Sequence, residues 1–239
     1  MGPALDGAGV NLFVDTLTWF SDPAHYHGSN AVQVRILEHL ELSGLAVVIA
    51  AAIALPIGLY LGHTGRLAFV AVNLANIGRA LPSLALLAFA LPVAISLGLG
   101  LGFWPTLFAL VPLAIPPVLT NAYVGIRGVD PDVIEAARGM GLSEIGILGR
   151  VEAPLALPLI LSGARTAAVN VVATATLGAL VAGGGLGRYI VDGLALREYD
   201  RLFAGALLVA VLAIGVEVVF AVFEARAVSP GLRAGTATL

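Results

Sequence analysis

From Ala80 to Ile126 the chain carries no charged side chain, and that run constrains the fold more than any other feature. A bilayer core about 30 Å thick is crossed by roughly 20 apolar residues in a helix. The run is therefore too long for one crossing and too apolar to face water, so it must double back. The glycine-studded stretch Ser96 to Gly102 supplies the turn. A second uncharged run, Leu42 to Gly62, is interrupted by Pro56 and Gly58 and closed by His63 and Arg66. Composition agrees, at 59% hydrophobic and 11% charged, where a soluble domain has about a quarter of its residues charged. The expected fold is all-α, a polytopic membrane protein.

Five spans follow: Leu42 to Gly62, Leu67 to about Leu97, Phe103 to Gly125, Leu155 to Ala182, and Leu202 to Phe223. Pro82, Pro92, Pro112, Pro116 and Pro117 imply kinks, tolerated where neighbouring helices or water take up the freed carbonyls. Arg66, Arg127, Arg138, Arg150, Arg226 and Arg233 fall on one side, which the positive-inside rule places in the cytoplasm with the Arg127 to Pro154 loop. The N-terminus then lies outside. The expected organisation is an extracytoplasmic or interfacial segment at 1–40, a transmembrane domain at 41–225 with its cytoplasmic loop at 127–154, and a cytoplasmic tail at 226–239. Met1 to Ser29 lacks the basic start and apolar core of a secretory signal and reads as retained. Within it, Val10 to Phe20 is amphipathic and suited to the interface.

Several functions are excluded. A net charge of -3 gives no footing for nucleic acid. Cysteine is absent, which removes disulfides and thiol chemistry. All twelve basic residues are arginine, so the lysine that a Walker A loop needs is missing. If ATP drives this protein, ATP and Mg2+ sit on another chain, and no cofactor is expected on this one. The histidines at 25, 27, 39 and 63 are scattered, and no metal site is expected. Aromatic residues make up 7% and do not cluster along the sequence, which leaves no obvious cage for a quaternary ammonium group.

The cytoplasmic loop reads Asp130-Pro-Asp-Val-Ile-Glu-Ala-Ala-Arg-Gly-Met-Gly141 and runs on to Pro154. Asp130 is a helix cap with Pro131 at the first helical position, so a short helix starts here. Gly139 and Gly141 break it, Ser143 caps a second, and Pro154 starts the next span. Alanines at 136 and 137 leave room for another backbone, and Glu135 and Arg138 are spaced to pair along the helix.

This loop resembles the EAA loop of the permease family of ATP-binding-cassette importers: Glu-Ala-Ala, three residues, Gly, nine residues, Ile, one residue, Leu-Pro. Glu135, Ala136, Ala137, Gly141 and Pro154 match, while Val151 stands for the isoleucine and Ala153 for the leucine. Arg138 and Gly139 lie inside the motif. The resemblance implies a type I importer permease of the bacterial inner membrane whose loop docks on a separate ATP-binding subunit. It implies two further partners, a second permease, identical or related, and an extracytoplasmic substrate-binding protein. The stretches Arg79 to Leu87, Gly125 to Pro131, Pro154 to Ile160 and Gly183 to Gly187 are similar to the osmoprotectant branch, which imports glycine betaine, carnitine, choline or proline. Methionine and other amino-acid permeases share part of this pattern.

Ser162, Thr166, Asn170 and Thr174 recur at every fourth position of span four and form one polar stripe. They are candidates for the transport path and equally for bonding between helices. Arg165 lies deep in the same span and calls for protein or water around it. Arg79 is a second path candidate, near the cytoplasmic entrance. Glu217 in span five is expected to be a helix-packing partner. Gly183 to Gly187, followed by a short helix from Tyr189 to Leu196, is the expected docking surface for the binding protein, with a simple flexible turn as the alternative. Two other classes stand against the importer: a gradient-driven secondary transporter, which would need more spans or an internal repeat, and a non-transporting membrane anchor.

Overall fold

The computed structural model describes residues 8–66 and 81–228, together with Phe69 and Asn73. Arg79 and Arg233 lie outside the described residues. The elements are helical throughout: α1 (Ala8–Ser21), α2 (Val32–Thr64), α3 (Ser83–Ser96), α4 (Phe103–Arg127), α5 (Pro131–Gly139), α6 (Glu144–Ile147), α7 (Ala153–Thr174), α8 (Gly187–Leu196) and α9 (Tyr199–Ala227). In lipid no water bonds the backbone, so a crossing segment must satisfy its own amides, and the helix does so. Four helices among the described residues are long and apolar enough to cross: Val32–Thr64, Phe103–Arg127, Glu144–Val181 and Tyr199–Ala227. The shorter apolar α3 holds the described part of span two.

Two boundaries differ from the sequence expectation. Span one is one helix from Val32, well before Leu42, and its first turns carry Arg35, Glu38, His39 and Glu41. Three of these polar groups are paired: Arg35 bonds Glu38 at 2.7 Å, and Glu38 and His39 take further partners from the glycine run. Span four does not start at Pro154. Helix runs unbroken from Glu144 through α6, a π-helical turn at Leu148–Glu152, α7, and a tight 3-10 turn at Ala175–Val181. Proline is tolerated here because the wider turn precedes it: the Ala153 N–H already bonds back to the Leu148 carbonyl, and Pro154 has no N–H to place.

The chain forms two compact units. The first holds α1, α2 as far as Leu45, α3, α4 as far as Leu110, and Val172–Ile214. One of its cores gathers Trp19, Val32, Leu186, Tyr189, Ala204 and Val209. Another packs Leu87 and Ala90 of α3 with Ala109 of α4 and Leu177 and Val181. Aromatic rings do cluster here, contrary to expectation. Trp19 stacks on His25 at 3.9 Å between centroids and meets Phe20 and Tyr189 edge-on. Chain folding, which brings Tyr189 of α8 back to α1, adds a distant ring to three that are close in sequence.

The second unit holds the rest of α2 from Ala46, α4 from Val111, the loop helices, α7 as far as Val171, and α9 from Gly215. Its packing depends on small residues. Ala46, Ala50 and Ala54 of α2 are fully buried, and Gly58 and Gly62 continue the same every-fourth row. A Cβ at Gly58 would come within 2.8 Å of the Ala122 Cβ, and one at Gly62 within 2.7 Å of the Ile126 Cβ. Without a hydrophobic drive between helices in lipid, close backbone approach of this kind supplies the association through dispersion.

Candidate functional site

The loop between α4 and α7 folds as a capped hairpin. Asp130 accepts the Asp132 N–H at 2.9 Å, and Pro131 takes the first position of α5. The helix closes as Met140 and Gly141 N–H groups donate to the Ala136 and Arg138 carbonyls at 3.0 Å. Gly141 has φ 84, a left-handed turn that a side chain would strain. Ser143 then accepts the Gly146 N–H at 3.2 Å and starts α6.

Two expectations about this hairpin need correcting. Arg138 does not pair with Glu135. Its Nε and Nη2 reach Glu144 at 2.9 and 3.1 Å, a bidentate bridge across the turn. The turn brings Glu144 opposite the guanidinium, and the planar fork fits a carboxylate better than the i, i+3 geometry allows. That bond raises the Arg138 pKa above its ordinary value. Nor are both alanines open to a partner. Ala136 is exposed, whereas Ala137 is buried and packs the hairpin from within, as Ile147 does from α6. What faces outward is Glu135 with three apolar side chains, Val133 at 42%, Met140 at 75% and Ile145 at 85% exposure. Gly139 and Pro154 are exposed, and Val151 is half-buried in the π turn.

On α7, Thr166 and Asn170 are exposed and Ser162 and Thr174 half-buried. The Thr166 hydroxyl donates to the Ser162 carbonyl at 2.9 Å, which keeps it satisfied within its own helix. Ala167 and Val171, each one residue on and so on the adjacent face, are fully buried. Arg165 lies between carboxylates of α9: Nη1 is 3.5 Å from Glu217 and 3.6 Å from Glu224. One guanidinium thus meets two carboxylates of α9.

The chain matches the family described as binding-protein-dependent transport system inner membrane component, over residues 54–229. It belongs to that family. The matched region contains the whole hairpin, the polar stripe and the Arg165 group, and it makes the chain a multi-pass permease of the inner membrane. A glycine betaine/carnitine/choline transport system permease protein of Bacillus subtilis is 38% identical over 82% of this chain and 88% of that protein. A carnitine transport permease protein of Listeria monocytogenes is 35% identical over 91% of this chain and 95% of that protein. Among solved structures, the MetNI methionine ABC transporter in an inward-facing conformation has a TM-score of 0.72 at 22% identity, over 83% of this chain and 96% of that one. The last likeness is one of fold.

Two further features of the permease were not read from its sequence. The first is the glycine run. Gly183, Gly185, Leu186 and Gly187 are buried, so this stretch is neither a flexible turn nor itself an exposed surface. It receives α2. The Glu38 carboxylate accepts the Gly185 N–H at 2.7 Å, and a Cβ at Gly184 would collide with that carboxylate. His39 is 1% exposed and lies between Leu186 and Val172. The Val172 carbonyl can only accept and the Leu186 N–H can only donate, so Nε2 carries the proton to Val172 (2.8 Å) and Nδ1 accepts from Leu186 (3.3 Å). The open surface is the end of α8, where Leu194 and Leu196 are 63% and 62% exposed.

The second is a pair at the end of α2. His63 Nδ1 lies 2.6 Å from Glu152, whose side chain is 3% exposed, and Nε2 lies 3.4 Å from Glu144. Sequence distance hid it, since α2 and the π turn are brought together only by packing. A carboxylate two residues before a proline in an otherwise apolar stretch was the available signal.

Proposed function

We propose that this permease imports osmoprotectants, namely glycine betaine, carnitine, choline or proline, as half of an ATP-driven translocation path. The observation that carries the substrate class is the 38% and 35% identity to betaine, carnitine and choline permeases over most of both chains. The amino-acid alternative has the shared part of the loop pattern and a likeness of fold behind it, the latter at 22% identity.

The hairpin docks on a separate ATP-binding subunit, which carries ATP and Mg2+. Its exposed Val133 and Met140, seven residues apart on one face of α5 and its C-cap, and Ile145 on α6 are the support for that reading, because exposed apolar side chains among charged ones fit a protein partner better than water. A second permease, identical or related, faces the exposed Thr166 and Asn170, so that the polar stripe lines the path between two subunits. An extracytoplasmic binding protein delivers the solute, and the end of α8 is the proposed seat for it.

The test is reconstitution in proteoliposomes with the ATPase and the binding protein. Labelled glycine betaine or choline should enter only with ATP and both partners. Uptake by this chain alone would establish a gradient-driven carrier, and uptake of methionine with no betaine or choline would move the permease to the amino-acid branch.

A further inference from the structure

We propose that His63 and Glu152 form a clasp that makes the coupling hairpin and the cytoplasmic end of α2 move as one body, and so sets how much solute is moved per ATP. The proposal rests on the reading of the hairpin as the element docked on the ATPase.

The clasp is built where the hairpin would otherwise be loose. Between α6 and α7 the backbone makes a π turn, Leu148–Glu152, immediately before Pro154. A π turn and a proline are both recognised places for a helix to bend. A push on α6 would be absorbed there unless something bridges the turn. Glu152 closes the turn and points inward, 2% exposed, onto His63 Nδ1 at 2.6 Å. From the other ring nitrogen the same imidazole reaches Glu144, the first residue of α6, at 3.4 Å. Glu144 in turn holds Arg138 of α5 by two bonds, of 2.9 and 3.1 Å.

One side chain of α2 thus contacts both ends of the α6 and π segment, and through Glu144 the arginine of the motif. His63 is anchored in its own helix beside Gly62, whose Cα lies so close to α4 that a Cβ there would meet the Ile126 side chain at 2.7 Å. The chain of contacts therefore runs from the exposed hairpin to a close helix contact of the second unit. A buried carboxylate is costly without a partner, and its retention beside a flexible turn makes sense when it fixes geometry. His63 and Glu152 touch no solute and no nucleotide in this scheme. They are positioning residues.

The experiment uses the assembled transporter in proteoliposomes, with solute moved per ATP hydrolysed as the readout. Because the chain lacks cysteine, Met140→Cys gives a single thiol whose crosslink to the ATPase reports docking. His63→Leu and Glu152→Gln should each lower solute per ATP on the order of fivefold or more, with the Met140→Cys crosslink retained. The reciprocal exchange, His63→Glu with Glu152→His, should restore most of the loss, which a merely space-filling role would not. The double His63→Leu/Glu152→Leu removes both polar groups, so no charge is left buried and unpaired if a single variant fails to fold. It too should be uncoupled. Wild-type solute per ATP in that double, or an exchange no better than its single changes, would overturn the clasp while leaving docking intact. No crosslink from Met140→Cys with the clasp native would overturn the docking reading, and the clasp with it.

Discussion

Gly141 in the hairpin and Gly185 in the glycine run hold nearly the same left-handed backbone, φ 84 and φ 82, in opposite surroundings. Around a Cβ built on Gly141 there is no atom within 4 Å, whereas one on Gly185 would meet His39 Nδ1 at 3.0 Å and its Cα at 3.3 Å. The first glycine serves only the shape of a turn. The second serves that shape and the close passage of α2. The hairpin keeps Glu135, Met140 and Ile145 exposed, while the glycine run buries His39 and holds the partly exposed Glu38 through the Gly185 N–H. A region built to meet another chain and a region built to be finished within its own chain thus use the same residue type for different reasons.

Substitutions separate the two. Gly185→Ala should be the most damaging, combining about 1 kcal/mol of backbone strain with overpacking of 1–3 kcal/mol against His39. Thermal unfolding of the purified permease in detergent should show a clear drop. A midpoint equal to wild type would mean the glycine run is looser than its contacts indicate. His39→Leu should come next, at about 2 kcal/mol, since the Val172 carbonyl and the Leu186 N–H are left buried without partners. The same unfolding measurement reads it, and His39→Gln, which can still donate to Val172, should recover part of the loss.

In the hairpin the stability effects should be smaller and the transport effects larger. Gly141→Ala should cost only the strain of about 1 kcal/mol, with normal membrane insertion and reduced ATP-driven uptake. Full uptake in that variant would show that turn shape at 141 is irrelevant to coupling. Arg138→Ala should leave the unfolding midpoint where it is, because its bridge to Glu144 is exposed at 53% and 56% of the two side chains and screened by solvent. Uptake should fall modestly, since Glu144 loses the bond that ties α5 to α6.

The hairpin was legible because its rules are local. A cap at Asp130, a proline at 131, glycines at 139 and 141 and a cap at Ser143 each act over a few residues, and the observed hydrogen bonds follow them. The partner of Arg138 was misassigned because helix spacing favours Glu135, while the turn at Gly141 brings up Glu144 instead. The helix of span one reaches back to Val32, which was not expected because Arg35, Glu38 and His39 look too polar for a helix continuing out of a membrane segment. Their partners lie far along the chain at Gly185 and Leu186, or at i+3 within the helix. Arg165 drew attention by its depth, but its two carboxylates, Glu217 and Glu224, are set by how α9 packs.

The sequence by itself determined the class of fold and the shape of the loop, since apolar run length, proline and glycine placement and helix caps act on neighbouring residues and need no third dimension. Only the tertiary structure decided which buried polar groups meet. His39 with Leu186 and Val172, and His63 with Glu152, are bonds closed across more than eighty residues of chain. Hydrogen bonds are short-ranged and directional, so their partners are fixed by where packed helices bring the atoms, and no local pattern carries that information.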